Sequence, residues 1–113
     1  MGDEVLSLGE FEEIVLLAVR HLGNNAYGVP IRQTVEQARG RVVSIGAIYT
    51  TLERLEQKGL LTSELGEATP QRGGRAKRYY HLEGLGECAL DAVEQARRRL
   101  QGRRILQPEG GGL

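Results

Sequence analysis

The chain has 113 residues, 15 basic and 15 acidic, with no tryptophan, one phenylalanine and one cysteine, so it can hold one small domain, or a domain with an appended helix, and its core must be aliphatic. One cysteine excludes an intrachain disulfide, and two histidines far apart in sequence (His21, His81) give no metal-ligand spacing. No apolar run approaches the roughly 18 residues of a membrane span, and Met1 to Leu6 is acidic where a signal peptide would be basic, so a cytoplasmic chain without metal or cofactor is expected.

In chain order, Ser7-Leu8-Gly9-Glu10 has the form of a capping box and precedes the apolar run Phe11, Ile14, Val15, Leu17, Ala18 and Leu22, which predicts a first helix from Leu8 to Leu22. Gly23-Asn24-Asn25 stops it. Pro30 fits a first helical turn, and Ile31, Val35 and Ala38 carry a short second helix to Gly40. Ser44 can cap a third helix with Ile45, Ile48, Leu52 and Leu55 as its apolar stripe and Gly59 as its end. The period then changes to two. Leu61 and Leu65 alternate with Thr62 and Glu64, and Tyr80 and Leu82 with Tyr79 and His81, as two strands joined by a glycine-rich loop. From Gly84 to about Leu106 the pattern is helical again, with Leu85, Ala89, Ala92, Ala96 and Leu100 forming a stripe. The expected architecture is mainly α with a small β-hairpin: a winged helix-turn-helix at 7–82, a dimerisation helix at 83–106, and disordered tails at 1–6 and 107–113.

The balanced total charge conceals an uneven distribution. Met1 to Glu13 carries five acids and no base, whereas Gln71 to His81 carries Arg72, Arg75, Lys77 and Arg78 and no acid. A further basic run, Arg97 to Arg99 with Arg103 and Arg104, lies near the C-terminus. At 100° per residue the apolar stripe of the third helix sends Gly46, Ala47, Thr50, Glu53, Arg54 and Gln57 to the opposite side and leaves Tyr49 and Thr51 on the flanks. Small residues permit close approach to a duplex, Thr50 can meet a base edge, and Arg54 can meet a phosphate or guanine; Glu53 argues against a polyanion there. The candidate DNA-binding residues on the helix are therefore Ser44, Gly46, Ala47, Tyr49, Thr50, Thr51 and Arg54. On the wing they are Arg72, Arg75, Lys77, Arg78 and Tyr79.

The segments Tyr27-Gly28 with Ile31, Ser44-Ile45-Gly46-Ala47-Ile48-Tyr49-Thr50-Thr51-Leu52-Glu53-Arg54-Leu55 through Gly59-Leu60, and Gly73-Gly74-Arg75-Ala76-Lys77-Arg78-Tyr79-Tyr80-His81-Leu82 resemble the PadR family of bacterial transcriptional regulators. The resemblance covers about Leu8 to Leu100, and its most specific parts are the third-helix pattern and the Gly-Gly-Arg wing. It implies a homodimeric winged-helix repressor of the short subgroup, with one C-terminal helix and an inverted-repeat operator in double-stranded DNA. The family pattern usually opens the last helix with Leu-Thr; here Leu82-Glu83 lacks that hydroxyl cap. Relatives that hold planar drugs between tryptophans imply nothing here, because the chain has none, and no effector is indicated.

The apolar stripe of the last helix needs a partner, and the first helix, apolar nearly all round, can receive it from a second copy; the alternative is a monomer in which the last helix folds back on its own first helix. The expected dimerisation residues are Phe11, Ile14, Leu85, Ala89, Ala92, Ala96 and Leu100. Two other functions compete. Cys88, on an apolar helical pattern, reads as a small core residue rather than a nucleophile, and neither histidine has partners at catalytic spacing, so no enzyme is expected. A winged helix that binds proteins instead of DNA is the alternative.

Overall fold

The computed structural model describes residues 8–66 and 76–106. In chain order these form α1 (Glu10–Leu22), a 3₁₀ turn (Gly23–Asn25), α2 (Gly28–Arg39), α3 (Ile45–Gln57), β1 (Leu61–Leu65), β2 (Arg78–Leu82) and α4 (Gly84–Leu106). This is the expected mainly helical chain with an antiparallel hairpin. The expected tails lie outside the described residues.

Local chemistry sets most boundaries. Acids in the first turn of α1 (Glu10, Glu12, Glu13) and Arg20 and His21 in its last turn complement the helix dipole. The expected cap is corrected: α1 starts at Glu10 with Gly9 as its cap, and Glu12 rather than Glu10 reaches back, its Oε1 accepting the Gly9 N–H at 2.9 Å. Ser7 lies outside the described residues. Helix α2 ends at Gly40, whose φ of 73° is left-handed and whose N–H returns to the Glu36 carbonyl at 2.8 Å. Ser44 caps α3 as read from the sequence, its Oγ accepting the Ala47 N–H at 3.1 Å.

The strands pair from Leu61 opposite Leu82 to Leu65 opposite Arg78. A bond from the Tyr80 N–H to the Ala26 carbonyl, 2.8 Å, ties the hairpin to the link between α1 and α2. One end of the hairpin is packed and the other leaves the body: Leu61 and Tyr80 are buried, whereas Leu65, expected on the same side as Leu61, is 62% exposed.

The core is aliphatic apart from Tyr80. Val15, Leu16 and Val19 of α1 meet Ile31 and Val35 of α2 and Ile48, Leu52 and Leu55 of α3, with Leu60, Leu61, Ala89 and Leu90 closing the far side. Phe11 stays at the edge of this core, beneath the Arg39 guanidinium at 5.2 Å from the ring centre.

Helix α4 is about 34 Å long at 1.5 Å per residue and is held along its first half by its own chain. Arg20 pairs with Glu94 at 2.9 Å and Glu87 at 3.8 Å, and Arg97 pairs with Glu13 at 2.9 Å. In place of the missing hydroxyl cap, Glu83 donates its N–H to the Leu60 carbonyl at 3.0 Å, accepts the Glu87 N–H at 3.0 Å, and takes a hydrogen bond from Thr62 Oγ1 at 2.9 Å.

Candidate nucleic-acid interface

The outer face of α3 carries Gly46, Ala47, Thr50, Glu53, Arg54 and Gln57, all exposed, as the helical period requires. Ser44 is exposed too, but its hydroxyl is engaged in the cap. Thr51 must be removed from the candidate set. It is 4% exposed, because it lies only about 40° around the helix from Leu55 and so on the margin of the apolar stripe. Tyr49 is 46% exposed, and its Oη occupies the space that a Cβ at Gly28 would fill. Gly28 is thus required by the close approach of α3 to the start of α2, which gives the Tyr27-Gly28 pair a packing role.

Arg54 reaches solvent, yet its Nη1 lies 3.7 Å from Glu12 Oε2. Glu12 is no candidate on sequence grounds, and it organises this end of the helix. Its side chain is 9% exposed, it accepts from Gly9, and Lys58 Nζ donates to both carboxylate oxygens at 3.0 and 3.1 Å. Burial pushes the Glu12 carboxyl up, but the Gly9 N–H, Lys58 and Arg54 together outweigh it and hold the pKa below the usual 4.5. A group depressed in the folded state adds stability above its unfolded pKa and loses it as pH falls through the folded one. Glu12→Gln keeps an acceptor for Gly9 but loses the charge. It should destabilise by about 1 kcal/mol near neutral pH, less than for a fully buried pair because both cations remain partly in water. Urea melts should show that deficit shrinking as pH falls below 4.5; a deficit constant with pH would contradict the ion-pair account.

On the hairpin, Lys77 and Arg78 are exposed, whereas Arg72 and Arg75 lie outside the described residues. Lys77 Nζ sits 5.2 Å from the Tyr27 ring centre, and Tyr79 meets the same ring edge-on at 5.3 Å. Tyr79 is therefore half-buried at the base of the wing. Arg78 Nη1 donates to Ser63 Oγ at 3.1 Å, and Ser63 donates to Glu56 at 2.9 to 3.0 Å, a chain linking β2 to α3 through β1. Between α3 and the hairpin lies a groove of about 400 Å³ lined by Tyr49, Glu53, Glu56, Ser63, Arg78 and Tyr80. Burial first, and then neighbouring Tyr49, raises the Tyr80 pKa, so its phenol stays a neutral hydrogen-bonding group.

Of the expected dimerisation residues, Ala89 is corrected: it is fully buried in its own chain's core and has no surface to offer a partner. Leu85 (39%), Leu100 (63%), Ala92 and Ala96 are exposed, and Phe11 and Ile14 are half-buried. Cys88, expected in the core, is exposed on the same outer side of α4. A mostly apolar groove of about 190 Å³ opens between α1 and α2, lined by Ile14, Leu17, Ala18, His21, Thr34, Val35 and Ala38. His81, on β2, has its Nε2 3.4 Å from Glu64 across the hairpin. Among the described residues no cluster of three or more His, Cys, Asp or Glu could hold a metal, and no helix is long and apolar enough to cross a membrane.

The profile of the transcriptional regulator PadR-like family matches residues 16–92. The chain is 38% identical over 85 residues to the transcriptional regulator Rv3488 of Mycobacterium tuberculosis, covering 70% of this chain and 73% of that one. Among solved structures, a PadR-like transcription factor from Bacteroides fragilis is similar with a TM-score of 0.68 and 32% identity, over 83% of this chain and 85% of the other. A PadR family transcriptional regulator from Eggerthella lenta aligns with a TM-score of 0.61 and 27% identity, over 84% and 81% of the two chains.

Proposed function

The chain belongs to the PadR-like family of transcriptional regulators, not enzymes, and from that membership we propose that it acts as a homodimeric repressor. In this reading α3 enters the major groove of an inverted-repeat operator and the hairpin tracks the phosphate backbone. The observation that carries it is the exposure of two surfaces on one molecule: the outer face of α3, small at Gly46, Ala47 and Thr50, and the basic Lys77 and Arg78 end of the hairpin, whose Arg78 shares a groove with Tyr49 and Glu53 of α3. Such a regulator works beside the chromosome, in the cytoplasm.

Dimerisation places the outer stripe of α4, Leu85, Ala92, Ala96 and Leu100, on the second copy, with Ile14 in the lining of the receiving groove and Phe11 on the same helix beside Arg39. Arg72, Arg75, Lys77 and Arg78 supply positive charge to the wing, Tyr79 braces its base, and Tyr49, Thr50 and Arg54 face the duplex.

Selection of bound duplexes from a random pool, followed by titration at several salt concentrations, tests this. Lys77→Ala should weaken every duplex by the same factor and flatten the log K against log salt slope by about 0.9 for each phosphate no longer neutralised, doubled in a dimer. Thr50→Ala should change which sequence wins and leave the slope alone. Absence of binding to any duplex at low salt would instead favour a protein-binding winged helix.

A further inference from the structure

We propose that Glu53 sets base specificity by accepting a hydrogen bond from the N4 amine of a cytosine in the major groove. The proposal rests on the reading that α3 enters that groove, and it accounts for a charge that otherwise opposes it. The other carboxylates near this face are spoken for: Glu12 by Lys58, Arg54 and Gly9, and Glu56 by Ser63, which in turn accepts from Arg78. Glu53 is exposed and, among the described residues, has no hydrogen bond or ion pair. It stands three residues from Thr50, one helical turn along the same face, with Ala47 a further turn back. Gly46, Ala47 and Thr50 are small, and Tyr49 on the flank turns its hydroxyl toward Gly28, so this strip of the helix can approach a base edge.

An unneutralised carboxylate brought against a polyanion is unfavourable unless it meets a donor, and the duplex offers few. In the major groove only cytosine N4 and adenine N6 donate. Adenine sets the N7 acceptor beside its amine, where it repels a carboxylate, while cytosine presents a C–H there. A lone carboxylate therefore selects cytosine, and it penalises any duplex lacking one at that position, because the charge then faces acceptors alone.

The test compares duplexes selected from a random pool by the unmodified protein, Glu53→Ala and Glu53→Gln, with affinities measured on duplexes carrying each base at the position in question. For the unmodified protein, cytosine should be fixed at one position per half-site and its replacement should weaken binding about tenfold. Glu53→Ala should lose preference at that position alone while binding unrelated duplexes more tightly. Glu53→Gln should move the preference toward adenine, whose N6 and N7 an amide pairs with together. A uniform rise in affinity for all sequences in Glu53→Ala, with no position losing its preference, would reduce Glu53 to phosphate repulsion and overturn the assignment. So would a loss of preference at a position that is not cytosine. If the unmodified protein enriched no sequence, the placement of α3 in the groove would fall, and this assignment with it.

Discussion

In Ala92→Arg, the protein should run as a monomer of 12.4 kDa by light scattering at micromolar concentration, where the proposed dimer of the unmodified protein should run at about twice that mass. Operator binding should fall by two or more orders of magnitude, because two half-sites engaged by one tethered pair are held roughly 10²- to 10⁴-fold more tightly than one. Ala92 reaches the surface of its own chain, so an arginine there meets water in the monomer and its folded far-ultraviolet circular dichroism should be unchanged. In the proposed dimer the same arginine would be driven into an apolar seam of small residues, where an unpaired charge is strongly unfavourable. Nonspecific binding at low salt should survive, since each wing keeps its cations. An Ala92→Arg protein that remained dimeric would move the seam off this stripe. A monomeric unmodified protein would remove the dimer altogether.

What can be read from the sequence, and what cannot, divides by the range of the interaction. Helix α3 runs from Ile45 to Gln57 because its signals are local: a serine that caps it, a stripe of four aliphatics at helical spacing, and Gly59, whose φ of 81° ends it. The hairpin is legible for the same reason, its alternation being local. Thr51 misleads because its polarity outweighs its angle; a threonine methyl packs at the margin of a stripe as readily as a valine. The start of α1 misleads because Ser7 with Glu10 is the pattern that has a hydroxyl to cap with, whereas the helix begins after Gly9, which has none and is held by Glu12 reaching back. Glu12 is also fixed by Lys58, 46 residues away, and short-range reading has no access to that partner. The inner face of α4 is hidden for the same reason: Glu94 and Arg97 read as solvent residues until Arg20 and Glu13, 74 and 84 residues distant, are brought against them. A stripe that begins on its own domain and continues toward a second copy cannot be divided from periodicity alone, which is why Ala89 and Ala92 fall together in the sequence and separate in the structure.

Gly86 has a large expected effect of its own. A Cβ there would run into the Leu60 carbonyl oxygen and Leu82 Cδ1. That carbonyl already accepts the Glu83 N–H at 3.0 Å, so neither the backbone after α3 nor the first turn of α4 can yield without breaking the bond that starts the helix. An alanine in a helix gains up to about 1 kcal/mol in propensity over glycine, but overpacking against backbone costs about 1 to 3 kcal/mol, and the strained Leu60 acceptor adds to that. Gly86→Ala should therefore destabilise by about 2 kcal/mol. Gly102→Ala, where a Cβ meets nothing within 4 Å, should stabilise by about 0.5 to 1 kcal/mol. Opposite signs for two glycine substitutions in one helix separate docking from propensity, and urea midpoints read both directly. The consequence extends to DNA. Gly86 sets the angle at which α4 leaves the domain, and α4 carries the proposed dimer stripe, so a helix pushed away at its first turn would re-aim the second copy in the proposed dimer. Residual Gly86→Ala dimers should select half-sites at an altered or relaxed spacing, while the bases preferred within each half-site stay the same. A Gly86→Ala protein as stable as the unmodified one, with unchanged spacing, would mean that α4 is not seated against Leu60 in solution.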